Sequence, residues 1–564
     1  MLYKGKVCEK KKTGDEVSYA ILAPRIEVKE VRIDRETKKH WLVVDFDGLD
    51  GPSELVIDRG HLKRSHLLDY QQYGLPANEI NASGIIRHLI NQEQQAPKVF
   101  MHSQLGWAEH EGSLVFNHHV SYGLPIPSRY EGELAIQPHG DEKDWMEAIR
   151  EHVVGRPPLE LALCCGLSAP VVGLIGSHVG LPSLLIHAYG DSSQGKTTAA
   201  MLAVSPFGNP SPLVNGLHAS WNATDNALLG RLIGNRGVPV ALDESSTDPS
   251  RDFTALIYRL AGGTDKGRLN RDSHLKERGT WSTTIFSTGE ASLLKQAKRN
   301  AGLRMRLLEF GNVAWTDSAP HADALRNAIL DHYGQAGPRF ANALRELGRA
   351  QVLDTFRAVH QESLQRLAAI GVHDDLVHRG AIKIALLLTT ARFVPEVLGL
   401  ELDVESLWDF ALRAEQASAR ERNLPQQAYE FFQEQIARHR SCFEWHASYD
   451  ADLKLDVSSG RGELWGKVTE TRDSVEVAIL RHKFDDLLRE GGFTDSSVIL
   501  EAWKKEGLLN HEDGHLTRQR TLQGIRQRMY VVRLPKATRD EESEEFRSTS
   551  PVCRRRKRIV LQRK

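Results

Sequence analysis

The chain has 564 residues, of which 40% are hydrophobic, which allows about three to four domains with apolar cores and excludes a disordered or fibrous protein. Its 73 Lys and Arg residues balance 74 Asp and Glu residues, so no overall basic charge indicates nucleic-acid binding, and any polyanion site has to be local. The five cysteines are scattered and form no Cys-x-x-Cys pair, which argues against a disulfide framework or a zinc site and suits a reducing cytoplasm.

Residues 1–135 are predicted to form a β-rich accessory domain. Short runs rich in β-branched and aromatic residues, such as HWLVVDF, alternate with charged or Gly/Asp/Pro turns. One helix is predicted over 79–92, EINASGIIRHLINQ. The histidines of this region lack a metal-ligand spacing, and we expect no metal site among them; they are His102, His110, His118 and His119.

The most apolar segment, LALCCGLSAPVVGLIG at 161–176, is predicted to be a buried core helix. It is too short to span a bilayer and contains Pro170. The first residues, MLYKGKVCEKKKTGDE, lack the apolar segment of a signal peptide. We therefore expect a cytoplasmic chain without a membrane partner.

A glycine loop between a strand-like and a helix-like segment is the most specific motif of the chain. The stretch GDSSQGKT fits the pattern G-x-x-x-x-G-K-[ST]. Gly190 and Gly195 allow backbone N–H groups to face a phosphate, Lys196 supplies a positive charge for the β and γ phosphates, and the Thr197 hydroxyl is suited to ligate Mg²⁺. With Thr198 included, the loop predicts a site for ATP and Mg²⁺; the alternative is a glycine turn that only joins strand to helix.

A second apolar strand, in GVPVALDESS, ends in two carboxylates. We expect Asp243 to hold Mg²⁺ through water and Glu244 to polarise the attacking water. The alternative is that both carboxylates only cap the following segment. The pair therefore predicts hydrolysis of the nucleotide that the glycine loop binds.

The segment 262–281, GGTDKGRLNRDSHLKERGTW, concentrates basic residues among polar turn residues. These basic residues are Lys266, Arg268, Arg271, Lys276 and Arg278. By itself, such a segment is equally expected of a solvated charged loop.

A third strand is predicted in WSTTIFSTGE, which alternates β-branched and aromatic residues and ends in polar ones. A polar residue at such a strand end is placed to contact the γ phosphate or the water. Thr288 is the first candidate for this catalytic role and Ser287 the second. The alternative is a pair of strand-end hydroxyls that bond the neighbouring loop.

An arginine precedes a fourth strand in AGLRMRLLEF. In a ring-shaped ATPase, an arginine in this place contacts the nucleotide of the neighbouring subunit and stabilises charge on the transferred phosphoryl group. We favour Arg304 over Arg306 for this role. The alternative is an ordinary surface arginine.

The segments GDSSQGKTT, VALDES, TTIFSTGE and GLRMRLLEF, in this order and spacing, resemble the AAA+ ATPase core of a helicase-like family of phages, plasmids and chromosomal islands. This family was long described only as a domain of unknown function, and some of its members are MCM-like replicative helicases. The resemblance covers residues 145–315 well and the flanking regions loosely. It implies an ATP-driven ring, expected to be a homo-hexamer, that encircles DNA, with 262–281 as a hairpin in its channel. Basic side chains there would track DNA phosphates without reading sequence. The DNA-binding residues implied in this way are Lys266, Arg268, Arg271 and Lys276, with Arg278 beside them.

Residues 443–535 favour a winged-helix domain. HKFDDLLREGG and TDSSVILEAWKKEG are predicted helices, and a hairpin is predicted to turn at Asp513 and Gly514. Such a domain commonly binds DNA, although protein contact or simple packing are alternatives. The basic residues suited to phosphate contact are Lys504, Lys505, Arg518, Arg520, Arg526 and Arg528.

The predicted fold class is α/β, with an AAA+ P-loop ATPase core surrounded by further domains. The predicted ranges are 1–135 for the β-rich domain, 136–320 for the ATPase core, 321–442 for a helical lid, 443–535 for the winged helix and 536–564 for a disordered charged tail.

These patterns favour a Mg²⁺-dependent ATPase that acts as a DNA helicase or translocase in mobile-element replication, on single-stranded or forked DNA. Two alternatives remain open. One is a nucleotide-switched DNA-binding scaffold of a defence or regulatory system that does not unwind DNA. The other is an AAA+ ATPase that remodels proteins; the basic segment and the winged helix favour DNA.

Overall fold

The chain divides into two compact units, Met1–Ala419 and Arg420–Lys564. The division comes before the boundary at residue 442 that the sequence predicts for the helical lid. The predicted tail, 536–564, lies outside the described residues. The computed structural model describes residues 2–13, 16–247, 252–267, 278–296, 303, 305–373, 376–447, 463–470, 474–493 and 495–535.

The first unit begins with β-sheets, as the alternating sequence pattern predicts. A three-stranded antiparallel sheet has the order β1-β2-β3, and a five-stranded sheet has the order β11-β7-β4-β5-β6. The strands are β1 Leu2–Tyr3, β2 Lys6–Thr13, β3 Glu16–Ala23, β4 Ile26–Asp34, β5 His40–Gly48, β6 Gly51–Asp58, β7 Lys98–His102, β8 Leu105–His110, β9 Ser113–Asn117, β10 Ser121–Tyr122 and β11 Arg129–Tyr130.

Helix α2, Ala82–Glu93, covers one face of the five-stranded sheet. It begins inside the predicted segment 79–92 and ends one residue beyond it. Its Ile85 and Leu89 are fully buried in a core shared with β4 and β5. The buried His88 donates from Nε2 to the carbonyl of Ile26, 2.8 Å away. A short helix α1, Arg64–Leu67, and two 3-10 turns, Arg59–His61 and Leu68–Tyr73, precede α2.

The next sheet is entirely parallel and has the order β13-β15-β16-β12-β17. Since parallel strands run in one direction, all five carboxyl ends meet at one edge, where ligands of such sheets bind. The strands are β12 Leu184–Tyr189, β13 His218–Ser220, β14 Asn235–Arg236, β15 Val240–Asp243, β16 Thr284–Gly289 and β17 Leu307–Gly311, with β14 outside this sheet.

Six helices of the described residues lie before, between and after the strands of the parallel sheet in the chain. They are α3 Glu142–His152, α4 Pro157–Ile175, α5 Lys196–Val204, α6 Asp225–Gly230, α7 Thr254–Gly262 and α8 Leu293–Gln296, with a 3-10 turn at Ser245–Thr247. Strand β14 pairs in parallel with β8, Asn235 opposite Leu105 and Arg236 opposite Gly106. Strand β14 therefore extends the sheet that β8, β9 and β10 form in the N-terminal region.

Helix α4 is the buried helix that the apolar segment predicts. Within the part of the chain that the structure describes, it alone is long and apolar enough to span a bilayer, yet 89% of its most apolar window is buried inside the protein. A Cβ built on Gly166 would lie 1.8 Å from the carbonyl oxygen of Ala203, so glycine lets α4 and α5 touch. Helix α4 is therefore part of the core rather than a membrane span.

Five further helices follow, as the helical pattern predicts, and all five bury residues in the core that surrounds α4. Lys383 and Glu415, on two of these helices, form a fully buried ion pair with 3.0 Å between Nζ and Oε2. Lys383 Nζ also donates to the carbonyl of Leu307, 3.0 Å away, at the start of β17. The helices are α9 Ala319–Asp331, α10 Ala336–Leu347, α11 Arg349–Ala369, α12 Val377–Leu398 and α13 Val404–Arg422.

The second unit is a mixed sheet, ordered β18-β19-β20-β22-β21, that packs on three helices. Helix α14 packs in this core, although the sequence analysis assigned it to the lid. The elements are α14 Leu424–Arg438, a 3-10 turn Arg440–Cys442, β18 Phe443–Ala447, β19 Gly466–Glu470, β20 Ser474–Leu480, α15 Arg481–Glu490, α16 Ser496–Lys505, β21 Arg518–Leu522 and β22 Ile525–Pro535.

The hairpin of the second unit turns at a different place from the one predicted. Strands β21 and β22 are joined at Gln523 and Gly524, which both have positive φ, +48° and +78°. Such a pair suits a tight turn between antiparallel strands. Asp513 and Gly514 do form a turn, but it belongs to the loop before β21. The prediction at Asp513 and Gly514 was therefore wrong for the hairpin.

Candidate functional site

The glycine loop joins β12 to α5 at the carboxyl edge of the parallel sheet. Gly190 and Gly195 have φ of +146° and +80°, and Gly195 is the residue before the first turn of α5. A Cβ at Gly190 would lie 2.5 Å from Gln194 Oε1, and one at Gly195 would lie 2.5 Å from Thr316 Oγ1. Both positions therefore need glycine, as the motif predicts, and the helix N-terminus faces the loop.

Lys196 folds back over the loop that precedes it. Its side chain is buried, and Nζ donates to the carbonyls of Gly190, 2.9 Å away, and Asp191, 2.7 Å away. An ammonium group held over the loop is placed to meet an anion in the concave face of the loop. Thr198, which was predicted to belong to the same ATP site, is also buried in the first turn of α5.

Thr197 and Asp243 come together although they lie on different elements. Thr197 Oγ1 donates to the two carboxylate oxygens of Asp243 at 3.3 and 3.2 Å. This oxygen pair fits Mg²⁺, which prefers hard oxygen ligands and is usually held by one or two protein groups together with water and phosphate. No group of three or more His, Cys, Asp or Glu side chains forms an all-protein metal site among the residues described.

Asp243 is held ionised by its surroundings. Burial alone would raise its pKa, but His218, Thr288 and Thr197 outweigh burial, and the pKa is lowered. His218 Nε2 lies 3.7 Å from Asp243 Oδ2, which is too long for a regular hydrogen bond. His218 Nδ1 donates to the carbonyl of Pro210, 2.9 Å away. His218 therefore lowers the pKa of Asp243 because it lies close to the carboxylate, without a regular hydrogen bond between the two side chains.

Thr288 connects the two carboxylate residues of the site. Its hydroxyl donates to Asp243 Oδ1 and accepts from the amide of Glu244, 3.0 Å away. Glu244 has a φ of +64°, a left-handed backbone that is uncommon outside glycine, and the bond to Thr288 helps to hold it. Of the two predicted strand-end hydroxyls, Thr288 is thus the one that contacts the carboxylates.

Ser287, the second candidate, belongs to a buried network instead. Its Oγ accepts from Trp221 Nε1, 2.9 Å away, and lies 2.9 Å from His187 Nδ1. His187 Nε2 donates to the carbonyl of Ala291, 3.0 Å away, so its Nδ1 accepts from the Ser287 hydroxyl. Burial lowers the pKa of His187 to about 4, and the imidazole is neutral. The network fixes β12 to β16 behind the site.

Glu290 reaches the glycine loop, which the sequence analysis did not foresee. Ser192 Oγ donates to Glu290 Oε1, 2.8 Å away, and the Glu290 amide donates to Ser246 Oγ, 2.7 Å away. Glu290, just after β16, therefore bonds the loop through its carboxylate and the turn after Asp243 through its backbone amide. The only sequence signal for this role is its place at the strand end.

The predicted arginines and the predicted DNA-binding residues are partly described. Arg304, Arg268, Arg271 and Lys276 lie outside the described residues. Arg306 stacks within its own chain, with its guanidinium 4.5 Å from the centre of the Tyr258 ring. Lys266 is exposed and lines a cleft with Arg236 and Arg278.

Several arginines proposed for phosphate contact in the second unit contact its own side chains. Arg518 Nη1 donates to Asn510, Arg520 Nη2 lies 3.1 Å from Glu476 Oε2, and Arg528 Nη2 lies 3.4 Å from Glu512 Oε2. The other predicted residues, Lys504, Lys505 and Arg526, are exposed or half-buried.

Two parts of the chain match known families. Residues 3–279 match the family described as a domain of unknown function (DUF927), and residues 423–537 match the family described as the Cch helix turn helix domain. The latter match covers the two helices, α15 and α16, that the sequence predicts in the second unit. No curated protein matches at a significant level.

The chain has the fold of a solved helicase structure. That structure, titled "SCCmec type IV Cch - active helicase", aligns with a TM-score of 0.74 and 23% identity over 95% of this chain and 98% of the other. An apo structure of the NrS-1 C terminal region aligns over 68% of this chain and 91% of the other, with 12% identity and a TM-score of 0.23, too low to indicate a shared fold.

Proposed function

We propose that the chain is a Mg²⁺-dependent ATPase with an AAA+ core that works as a DNA helicase or translocase in mobile-element replication. One observation carries the proposal: helix α5 and strand β15 bring Thr197 Oγ1 and Asp243 Oδ1 to 3.3 Å from each other, beside Lys196. A phosphate-binding loop and a carboxylate pair at one sheet edge are what metal-assisted nucleotide hydrolysis needs. The helicase fold and the helix turn helix match support DNA as the partner.

Each residue has a distinct role in the proposed reaction. Lys196 and the loop amides bind the β and γ phosphates, and Thr197 and Asp243 would hold Mg²⁺. When bound, Mg²⁺ supplies positive charge to the phosphate oxygens. Glu244 orients and polarises the attacking water. The Thr288 hydroxyl bonds both the amide of Glu244 and the carboxylate of Asp243 and so holds the two groups in place.

The oligomeric part of the proposal rests on Arg304. In a homo-hexamer, Arg304 would reach the nucleotide of the neighbouring subunit and stabilise charge in the transition state. Basic residues of 262–281, namely Lys266, Arg268, Arg271 and Lys276, would follow the DNA backbone in the channel. Light scattering of the purified protein with ATP and Mg²⁺ measures the number of subunits.

The test is ATP hydrolysis by the full chain with and without single-stranded DNA. Glu244→Gln should abolish turnover, since the amide cannot accept a proton, whereas Glu133→Gln, on an exposed glutamate away from the site, should not. Stimulation by DNA followed by strand separation on a forked substrate supports a helicase. Turnover indifferent to DNA but raised by a protein substrate supports remodelling, and DNA binding without turnover supports a scaffold.

A further inference from the structure

A cleft of about 530 Å³ beside β14 carries three exposed cations and shares no lining residue with the glycine loop. The cations are Arg236, Lys266 and Arg278, and none of them forms an ion pair within the described ranges. The lining includes one carboxylate, Asp265, which lies 3.8 Å from Arg259 Nη1. The cleft thus presents an excess of positive charge.

The backbone of Arg236 is held rigidly. Strand β14 pairs with β8, and Gly106 on β8 has a φ of +83°. A Cβ at Gly106 would lie 2.0 Å from the Arg236 carbonyl oxygen, and a Cβ at Gly173 of α4 would lie 2.5 Å from the same atom. Two glycines therefore let a strand and a helix close around this backbone, while the charged side chain remains exposed.

Two further cavities border the cleft. It shares Ile233 and Gly234 with a neighbouring cavity of about 520 Å³, and Arg236 and Thr280 with another of about 640 Å³. Arg236 and Thr280 therefore lie where two cavities meet. A groove of this kind suits a linear polyanion better than a single small anion, because several phosphates in a row can occupy it.

Exposed arginine and lysine side chains in a groove are the chemistry that binds a phosphodiester backbone without reading bases. A planar guanidinium also bonds two phosphate oxygens at once. We propose that Arg236, together with Lys266 and Arg278, binds the phosphodiester backbone of a DNA strand, with Arg236 as a fixed contact on the ATPase core. This inference rests on the proposed action on DNA and adds a contact outside the segment 268–277.

The experiment measures binding of the full chain to a fluorescent thirty-nucleotide oligo-dT and to a duplex of the same length, over a range of salt. Arg236→Ala should weaken oligo-dT binding about three- to tenfold near 0.1 M salt and reduce the salt slope by about 0.7, the value for one lost phosphate contact on a single strand. Arg278→Ala should act in the same direction. Lys63→Ala, which removes an exposed lysine outside the cleft, should change neither quantity.

The outcomes separate this inference from the proposed function. If wild type binds oligo-dT and both arginine variants match it in affinity and slope, the cleft assignment is overturned and the helicase proposal stands. If Arg236→Ala weakens binding but DNA never stimulates ATP turnover, the cleft is supported and the motor is overturned. If wild type binds neither DNA, both are overturned. A melting temperature equal to that of wild type shows that Arg236→Ala is folded.

Discussion

Lys383 and Glu415 form an ion pair with both side chains fully buried, and the same lysine bonds the carbonyl of Leu307 at the start of β17. The pair therefore ties α12 and α13 to the parallel sheet. Buried charges are costly to leave without a partner, and breaking such a pair costs about 3–5 kcal/mol.

We expect Lys383→Ala to lower the free energy of unfolding by about 3–5 kcal/mol, because it leaves Glu415 buried and without its cation. The double variant Lys383→Met with Glu415→Leu should be far less damaging, since it removes both charges and keeps volume. Denaturant unfolding monitored by fluorescence measures both. Equal losses in the single and double variants would contradict the ion-pair argument.

Thr288→Val should lower kcat for ATP by about ten- to a hundredfold, because its hydroxyl orients Asp243 and the amide of Glu244. Thr288→Ser should restore most of the rate. The matched control is Thr284→Val on the same strand, whose hydroxyl bonds Ser168, 2.7 Å away, and which should leave kcat near that of wild type. A kcat loss in Thr284→Val as large as that in Thr288→Val would refute the assignment.

Gly166→Ala should lower the free energy of unfolding by about 1–3 kcal/mol or more, because the added methyl group would meet the Ala203 carbonyl at 1.8 Å and push α4 from α5. The control is Gly230→Ala in helix α6, where a Cβ meets nothing within 4 Å. There alanine should be neutral or stabilise by up to about 1 kcal/mol. Thermal unfolding of both variants provides the comparison, and similar melting temperatures would count against the close contact.

Buried histidines make stability depend on pH. Burial lowers the pKa of His118 to about 3 and those of His102 and His187 to about 4. In the unfolded chain a histidine takes a proton near pH 6.5, so the unfolded state binds more protons between about pH 4 and 6.5. The free energy of unfolding should therefore rise with pH across that window and level off above it.

His118→Gln tests the largest of these contributions. The difference in unfolding free energy between pH 5 and pH 7.5 should shrink by about 2 kcal/mol, since one proton no longer binds preferentially to the unfolded chain. His373→Gln, on an exposed histidine, serves as control. Chemical denaturation at the two pH values measures the difference, and an unchanged difference in His118→Gln would show that this site does not titrate as stated.

The glycine loop could be predicted from sequence because its chemistry is local. Gly190, Gly195, Lys196 and Thr197 are close in the chain, and the roles proposed for them follow from backbone freedom and charge at that spacing. Asp243 and Glu244 were also predictable, since the end of a strand in a parallel sheet meets the loop edge. Once β15 is paired in the parallel sheet, its carboxyl end lies at the edge that holds the glycine loop, and this brings Asp243 close to Thr197.

Contacts across the sheet could not be predicted. Ser192 with Glu290, and His187 with Ser287, depend on β12 lying beside β16, which no local pattern encodes. The place of helix α14 could not be predicted either, because an apolar helix face suits the core of the lid as well as that of the second unit. In the structure, Phe432 and Ile436 pack in the second unit. The hairpin turn was misplaced because Asp-Gly is a strong local signal, whereas the strand register selects Gln-Gly.

The pairing of β8 with β14 bears on what a shortened chain would be. A chain that began at residue 136 would lack β8, so β14 would have a bare edge, and the carbonyl of Pro170 in α4 would lose the indole of Trp107, which donates to it at 2.7 Å. Residues of β8 and β9 also fill the core around α4. The parallel sheet with its glycine loop is thus not an autonomous module that can be excised at that boundary.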